Sequence, residues 1–182
     1  EALQYSDRNK FTHFETDLRM SKDGVVFLHH DETLNRTTSS EGKVADYLWH
    51  DLLKINAGEK FYEKKNIKGK RTVFVSLEDA LSNFSNMKLN LDLKQSGMEN
   101  KVLDIIMDSN ASERTLISSF SPGRLRKFQE INRYNIATSA SIKENLQSMF
   151  NSKFFRLWSI RVQALQIPIR WKGVSVLTKN LV

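Results

Sequence analysis

Between positions 13 and 38 the chain runs HFETDLRMSKDGVVFLHHDETLNRTT. Glu15 and Asp17 stand two apart, Lys22-Asp23-Gly24 is a turn signal, and an apolar run then ends at His29-His30-Asp31. On a strand, successive side chains point to opposite faces. His13, Glu15, Asp17 and Arg19 would therefore share one face, with Phe14, Thr16 and Leu18 on the other. The later stretch MKLNLDLK repeats the arrangement, setting Lys88, Asn90, Asp92 and Lys94 opposite Leu89, Leu91 and Leu93. Acids, a histidine and a lysine on such faces are groups that can bind a hard cation and move a proton. An antiparallel sheet with one face in water would show the same alternation. The surrounding elements decide between the two readings.

The spacing suits a metal. Residues i and i+2 of a strand lie about 6.6–6.8 Å apart along its axis, so equal side chains do not readily converge. Here the residue deeper in the strand is the longer Glu15 and the shallower one is the shorter Asp17, which lets their tips approach. An oxygen-rich site without cysteine favours Mg²⁺ or Ca²⁺ over zinc.

The elements that must position these groups alternate in type. THFETDLRM and VVFLHH look like strands joined at the Lys-Asp-Gly turn. EKFYEKKNIKGKRT, 59–72, reads as a basic loop. SLEDALSNF begins a helix, with Ser76 and Asp79 spaced as a capping box. MKLNLDLK follows as strand, MENKVLDIIMDSN as helix, RTLISSF as strand, SPGRLRKFQEIN as helix and NIATSA as strand. A helical IKENLQSMF and the strands VQALQIP and GVSVLT close the order. This rhythm predicts βαβ units, a mainly parallel sheet and an α/β fold. Strands of a parallel sheet are covered on both faces, so two that carry lines of charge need a reason. In a closed (β/α)8 barrel, active-site groups collect at the C-terminal strand ends.

Bulk properties narrow the rest. The 182 residues, 40% hydrophobic, suffice for one core and show no internal repeat or linker, so one domain is expected. No apolar run reaches the length of a membrane span. The absence of cysteine excludes disulfides, thiolate zinc sites and a cysteine nucleophile. The net charge of +7 invites an anionic partner, but no helix-turn-helix, RRM or zinc-finger pattern supports nucleic acid. The basic loop carries Lys60, Lys64, Lys65, Lys68, Lys70 and Arg71. It reads as a solvated loop, with a weak contact to an anionic surface as the alternative. The first residue is Glu, so any targeting signal would be out of view, and a cytoplasmic placement is the expectation.

The segment FETDLRMSKDGVVFLHHDETLNRTT resembles the signature of the glycerophosphodiester phosphodiesterase family: Glu-x-Asp, then Ser/Thr-Lys-Asp-Gly, then His-Asp-x-x-Leu-x-Arg-Thr-Thr. INAGEKFYEKKNIKGKRTVFVSLEDAL is similar to the family's Asp-Ala-Gly loop and following helix start, with Ser76 where proline is usual. LNLDLK resembles its Asn-Ile-Glu-Ile-Lys strand, ISSFSPGRLRKF its Ser-Phe strand and helix, and VQALQIPIRWKGVSVLT its penultimate barrel region.

The resemblance implies a (β/α)8 TIM-type barrel, incomplete at both ends, because the family's opening His-Arg-Gly strand and closing Trp-Thr-Val-Asn strand have no counterpart here. It implies Glu15, Asp17 and Asp92 as ligands of Mg²⁺ or Ca²⁺, His30 as general acid/base, and Lys94 as the cation on the phosphate. Asp92 replaces the usual Glu and shortens that ligand by one methylene. Chemistry alone does not choose His30 over His29. Arg36 is expected to hold its loop. His13 has no family counterpart, and Trp171 either stacks on substrate or packs at a barrel rim. The implied reaction is metal-dependent hydrolysis of a small-molecule glycerophosphodiester to glycerol 3-phosphate and an alcohol, by water or by the substrate's own hydroxyl. The alternative is a non-catalytic barrel that retains metal or phosphate binding. Phospholipase D toxins on the same barrel fit less well, for want of cysteines and because the phosphodiesterase-type loop is present.

Overall fold

The alternating residues of the opening segment form β1 (His13–Met20), which buries Leu18 in the main core while its acids point the other way. The structure is a computed structural model and describes residues 1–140, 163–164, 170–171 and 174–175. Ahead of β1 lies α1 (Ala2–Arg8), which buries Leu3. Gly24, at a φ of +84°, takes the left-handed turn that returns the chain as β2 (Val26–Leu28). Asp23 fixes that turn from both sides: Ser21 Oγ donates to its Oδ1 at 2.7 Å and the Trp49 amide donates to the same oxygen at 2.9 Å.

β3 (Lys88–Leu93) lies parallel to β1 with Asp17 opposite Asp92, Glu15 opposite Asn90 and Leu18 opposite Leu93. β4 (Thr115–Ser118) and β5 (Ala137–Thr138) continue the parallel order, giving a five-stranded sheet β2-β1-β3-β4-β5 in which only β2 runs antiparallel to its neighbour. A parallel bridge from Ser139 to Ala164 extends it. A separate antiparallel pair, β6 (Arg170–Trp171) and β7 (Val174–Ser175), sets Trp171 opposite Val174.

Four short helices precede or separate the first strands: α1, α2 (Trp49–Leu52), α3 (Glu59–Lys64) and α4 (Leu77–Asn83). The Ser76 cap behaves as its spacing predicts: its Oγ accepts from the Asp79 amide at 3.0 Å and donates to the Asp79 carboxylate at 2.6 Å. α5 (Glu99–Asp108) and α6 (Pro122–Ile131) are the crossovers between β3, β4 and β5. They bury Val102, Leu103, Ile106, Leu125 and Phe128 against the leucines of β3. A smaller core of Phe27, Leu34, Val44, Leu52 and Phe74 lies beneath the long connection between β2 and α4. This βα succession is the α/β architecture of a TIM-type barrel, and β1, β3, β4 and β5 are consecutive staves of its wall.

One expectation needs adjusting. The segment 59–72 is not all loop, because Glu59–Lys64 is helical. Its dense charge conceals an anchor, Tyr62, which is buried and donates to Glu1 Oε2 at 2.7 Å while also bonding Thr72. The helix expected over 142–150 and most of the strand over 162–168 lie outside the described residues.

Candidate phosphodiester site

The register of β1 on β3 sets Asp17 beside Asp92, and Lys94, one residue beyond β3, reaches back between them. Its Nζ lies 2.9 Å from Asp17 Oδ1 and 2.6 Å from Asp92 Oδ2. Burial draws the Lys94 pKa down, but the bonds to Asp92 and Asp17 outweigh it and hold the ammonium above its usual range. Asp92 is only 3% exposed, and its second oxygen, Oδ1, is buried without a hydrogen-bond partner. Glu15, two residues deeper on β1, has its pKa raised by burial and then by the charges of Asp17 and Asp92, with Lys94 and His30 pulling it back.

Against this floor the β1–β2 hairpin brings a second group of residues. The His29 amide donates to the Asp17 carbonyl at 2.9 Å, which seats the strand end beside the carboxylates. His30 Nδ1 lies 2.6 Å from Asp31 Oδ1. Arg36 clasps the same carboxylate through Nε to Oδ2 at 2.6 Å and Nη2 to Oδ1 at 3.1 Å. The Arg36 bond, helped by His30, holds the Asp31 carboxyl at about 2, well below the usual range. This proximity separates the histidines in a way their types did not. His29 stacks on Phe27 at 6.1 Å and meets Phe74 edge-on at 5.4 Å, and burial lowers its pKa. His30 is exposed, bonds Asp31 and lies within electrostatic reach of Glu15.

Two contributors escaped the residue-by-residue reading. Arg19 donates from Nη2 and Nε to the His30 carbonyl, at 3.0 and 3.2 Å, and from Nη1 to the Lys94 carbonyl at 3.2 Å. It thus ties together the two chain segments that carry His30 and Lys94. Its place on the acid-bearing face was the available signal. Phe120, beyond β4 and 73% exposed, presents its ring 5.0 Å from Lys94 Nζ. Only its position after the Ser-Ser pair pointed to it.

The expected site residues do not all gather. Glu15, Asp17, Asp92, Lys94 and His30 lie together at the C-terminal side of the sheet, whereas His13 sits at the opposite end of β1, exposed and bonded to the Thr12 hydroxyl at 2.8 Å. Trp171 stands on β6, and its side chain lies outside what is described. Asp17 and Asp92 share the Lys94 ammonium, and the charge of Asp17 acts on Glu15. Among the described residues, no three acids or histidines are gathered as a ready-made metal cluster.

The donor chemistry nonetheless fits a hard cation. Asp17 and Asp92 share one ammonium, Asp92 has a buried oxygen without a partner, and Glu15 is a carboxylate whose charged form the other two disfavour.

The chain has recognisable relatives among known proteins. The model of the glycerophosphoryl diester phosphodiesterase family matches residues 2–170. A glycerophosphodiester phosphodiesterase of Bacillus altitudinis is 36% identical over 125 residues, which is 64% of this chain and 49% of the relative. The crystal structure of a glycerophosphodiester phosphodiesterase from Agrobacterium tumefaciens superposes with a TM-score of 0.71 at 23% identity, over 82% of this chain and 63% of that one. A phosphodiesterase from Oleispira antarctica, solved in complex with the product sn-glycerol-3-phosphate, gives 0.62 at 23% identity, over 76% of this chain and 57% of that one. The solved structures establish the shared fold. The chain spans about half the length of the curated relative from Bacillus altitudinis. With the family model covering residues 2–170, this chain belongs to the glycerophosphoryl diester phosphodiesterase family.

Proposed function

We propose that these residues form the phosphodiester-hydrolysing centre of a metal-dependent glycerophosphodiester phosphodiesterase, releasing glycerol 3-phosphate and an alcohol. The observation that carries this reading is the meeting of Asp17, Lys94 and Asp92 beside Glu15, with the His30–Asp31 pair at the same rim. The named relatives, and the product bound to the Oleispira antarctica enzyme, support the substrate class.

Glu15, Asp17 and Asp92 are the residues that would hold Mg²⁺ or Ca²⁺. Such an ion, when bound, supplies Lewis acidity at a phosphoryl oxygen. Lys94 adds a second positive charge at the phosphate, so charge developing on its oxygens is met from two directions. His30 moves the proton. With Nδ1–H donated to Asp31, the neutral ring carries its lone pair on Nε2, the atom free to accept or deliver a proton. Arg36 keeps Asp31 ionised and in place for that task. Trp171 is a candidate to stack on the substrate. Among the described residues no helix is long and apolar enough to cross a membrane. Among the described residues, the basic segment 59–72 is suited to meet an anionic surface.

Calorimetric titration with Mg²⁺, Ca²⁺ and sn-glycerol 3-phosphate tests the reading. The wild type should bind both cation and product, Asp17→Asn and Asp92→Asn should lose the cation, and Lys94→Ala should lose the product. Unchanged binding in all three variants would remove the site. Binding of both ligands without turnover of glycerophosphocholine would favour the non-catalytic alternative.

A further inference from the structure

The basic segment 59–72 has an exposed apolar component that its charge obscures in sequence. Six cations and two acids give it a net charge of +4, more than half of the chain's +7, within 14 residues. Tyr62 faces inward, buried against Glu1 and Thr72. With that residue committed to the interior, α3 turns Phe61 outward, 57% exposed, and Lys64 and Lys65 follow three and four positions later on the same side. The chain then makes a left-handed turn at Asn66 (φ 53°) and presents Ile67, 43% exposed, next to Lys68. None of Lys64, Lys65 and Lys68 has an acidic partner within ion-pair distance among the described residues. Two exposed apolar side chains set among cations differ from an ordinary solvated face.

Placement gives this surface a direction. Lys60 donates from its amide to the Thr37 carbonyl at 3.1 Å and from Nζ to the Asn35 carbonyl at 2.6 Å. Glu59 accepts from the Ser39 amide at 2.8 Å. The segment is thus bound to the loop whose Arg36 clasps Asp31, the partner of His30. These bonds hold it beside that loop.

We propose that Phe61 and Ile67, ringed by Lys64, Lys65 and Lys68, form an interfacial anchor that seats the mouth of the site on an anionic lipid surface. The partner follows from the chemistry: cations recognise anionic headgroups, and the apolar pair enters the headgroup–acyl boundary. A nucleic-acid surface would use the cations but leave Phe61 and Ile67 in water. Each signal alone is weak, and together they give reversible attachment. The orientation rests on the site proposed above, whereas the attachment does not.

Co-sedimentation of the full chain with phosphatidylcholine vesicles, with and without phosphatidylglycerol, tests it. The wild type should partition onto the anionic vesicles and scarcely onto neutral ones. Raising salt from 0.1 to 1 M shortens the screening length from about 10 to 3 Å and should release most of the protein. Lys64→Glu with Lys65→Glu should weaken binding by roughly tenfold or more. Phe61→Ser with Ile67→Ser should also weaken it about tenfold with every charge retained, since two large apolar side chains no longer leave water. Phe61→Trp should blue-shift on binding and be quenched by brominated lipid. His30→Ala should bind vesicles like the wild type, so failed hydrolysis and failed anchoring are separable. Equal binding to neutral vesicles, an unquenched Phe61→Trp, or a serine pair that binds like the wild type would overturn the anchor. So would displacement by duplex DNA combined with insensitivity to the serine pair.

Discussion

The floor and the rim of the site are built by different means. The floor, with Glu15, Asp17, Asp92 and Lys94, rests on two parallel strands whose opposite faces bury Leu18, Leu89, Leu91 and Leu93. Its geometry is inherited from the sheet. The rim, with His30, Asp31 and Arg36, is a hairpin end in which His30 and Arg36 are exposed and order comes from side-chain bonds. Charges on the floor are costly to unpair, because little water reaches them. Charges on the rim are cheap to rearrange. Rim substitutions should therefore alter chemistry and leave stability nearly intact, while floor substitutions should alter both.

The sharpest test of the contrast is His30→Ala. On the proposed mechanism it removes one acid/base group, worth on the order of 10²–10⁴ in kcat. The melting temperature should stay close to wild type, and so should cation binding measured by titration. A large fall in melting temperature would mean that His30 belongs to the structural side of the comparison.

Lys94→Met addresses the floor. It leaves Asp17 and Asp92 facing each other without their shared cation, and breaking a buried pair in this way costs about 3–5 kcal/mol. Denaturant unfolding in chelator should show that loss. If the acids can hold Mg²⁺ or Ca²⁺, adding the ion should restore part of it, and more than the same ion stabilises the wild type. A variant that is destabilised but indifferent to both ions would count against the carboxylates as ligands.

His29→Ala should behave oppositely to its neighbour. The ring packs on Phe27 and Phe74 in the smaller core, so its removal should cost about 1–2 kcal/mol and leave kcat within a fewfold of wild type. Measured together, the two histidine variants form a double dissociation between packing and chemistry.

How much of this was legible follows the same division. Period-two alternation over 13–20 and 88–93 reported the floor directly, because a strand converts sequence parity into facing. The Ser76 cap and the crossover helices were equally local signals. The rim was less legible. His29 and His30 are adjacent and of one type, and what separates them is a contact with Phe74, 45 positions away from His29. Arg19 was visible as a member of the polar face, but its bonds to the His30 and Lys94 carbonyls depend on how the hairpin closes over β3. The helix α3 was hidden for a different reason. Its charge pattern is that of a solvated loop, and the single buried side chain that makes it a helix on a surface, Tyr62, is held by residues near position 1 and at 72. Nor does parity give the rotamer of a long side chain: that Lys94 lies between Asp17 and Asp92 does not follow from spacing.

The smallest expected effect lies on the rim and is set by pH. Arg36 and His30 hold the Asp31 carboxyl at about 2, against an ordinary aspartate value of 3.8. A carboxyl whose folded pKa is depressed contributes stability that is present above its unfolded pKa and is lost as pH falls through its folded one. The contribution should therefore be complete above about pH 5 and be lost as pH falls through about 2. Arg36→Ala removes the chief cause. Because Arg36 is largely exposed, its loss should cost only about 0.5–1 kcal/mol at neutral pH. The deficit should shrink as pH is lowered between 4 and 2, since Asp31 is then becoming protonated in the wild type as well. Urea unfolding of both proteins across that range gives the difference, and a carboxyl-carbon NMR titration gives the Asp31 pKa, which should rise in the variant. A deficit that persists unchanged at pH 2 would show that Arg36 stabilises the loop by packing its aliphatic stem. An Asp31 pKa unmoved by Arg36→Ala would shift the cause to His30 and bind the rim more closely to the proton-transfer chemistry than the comparison allows.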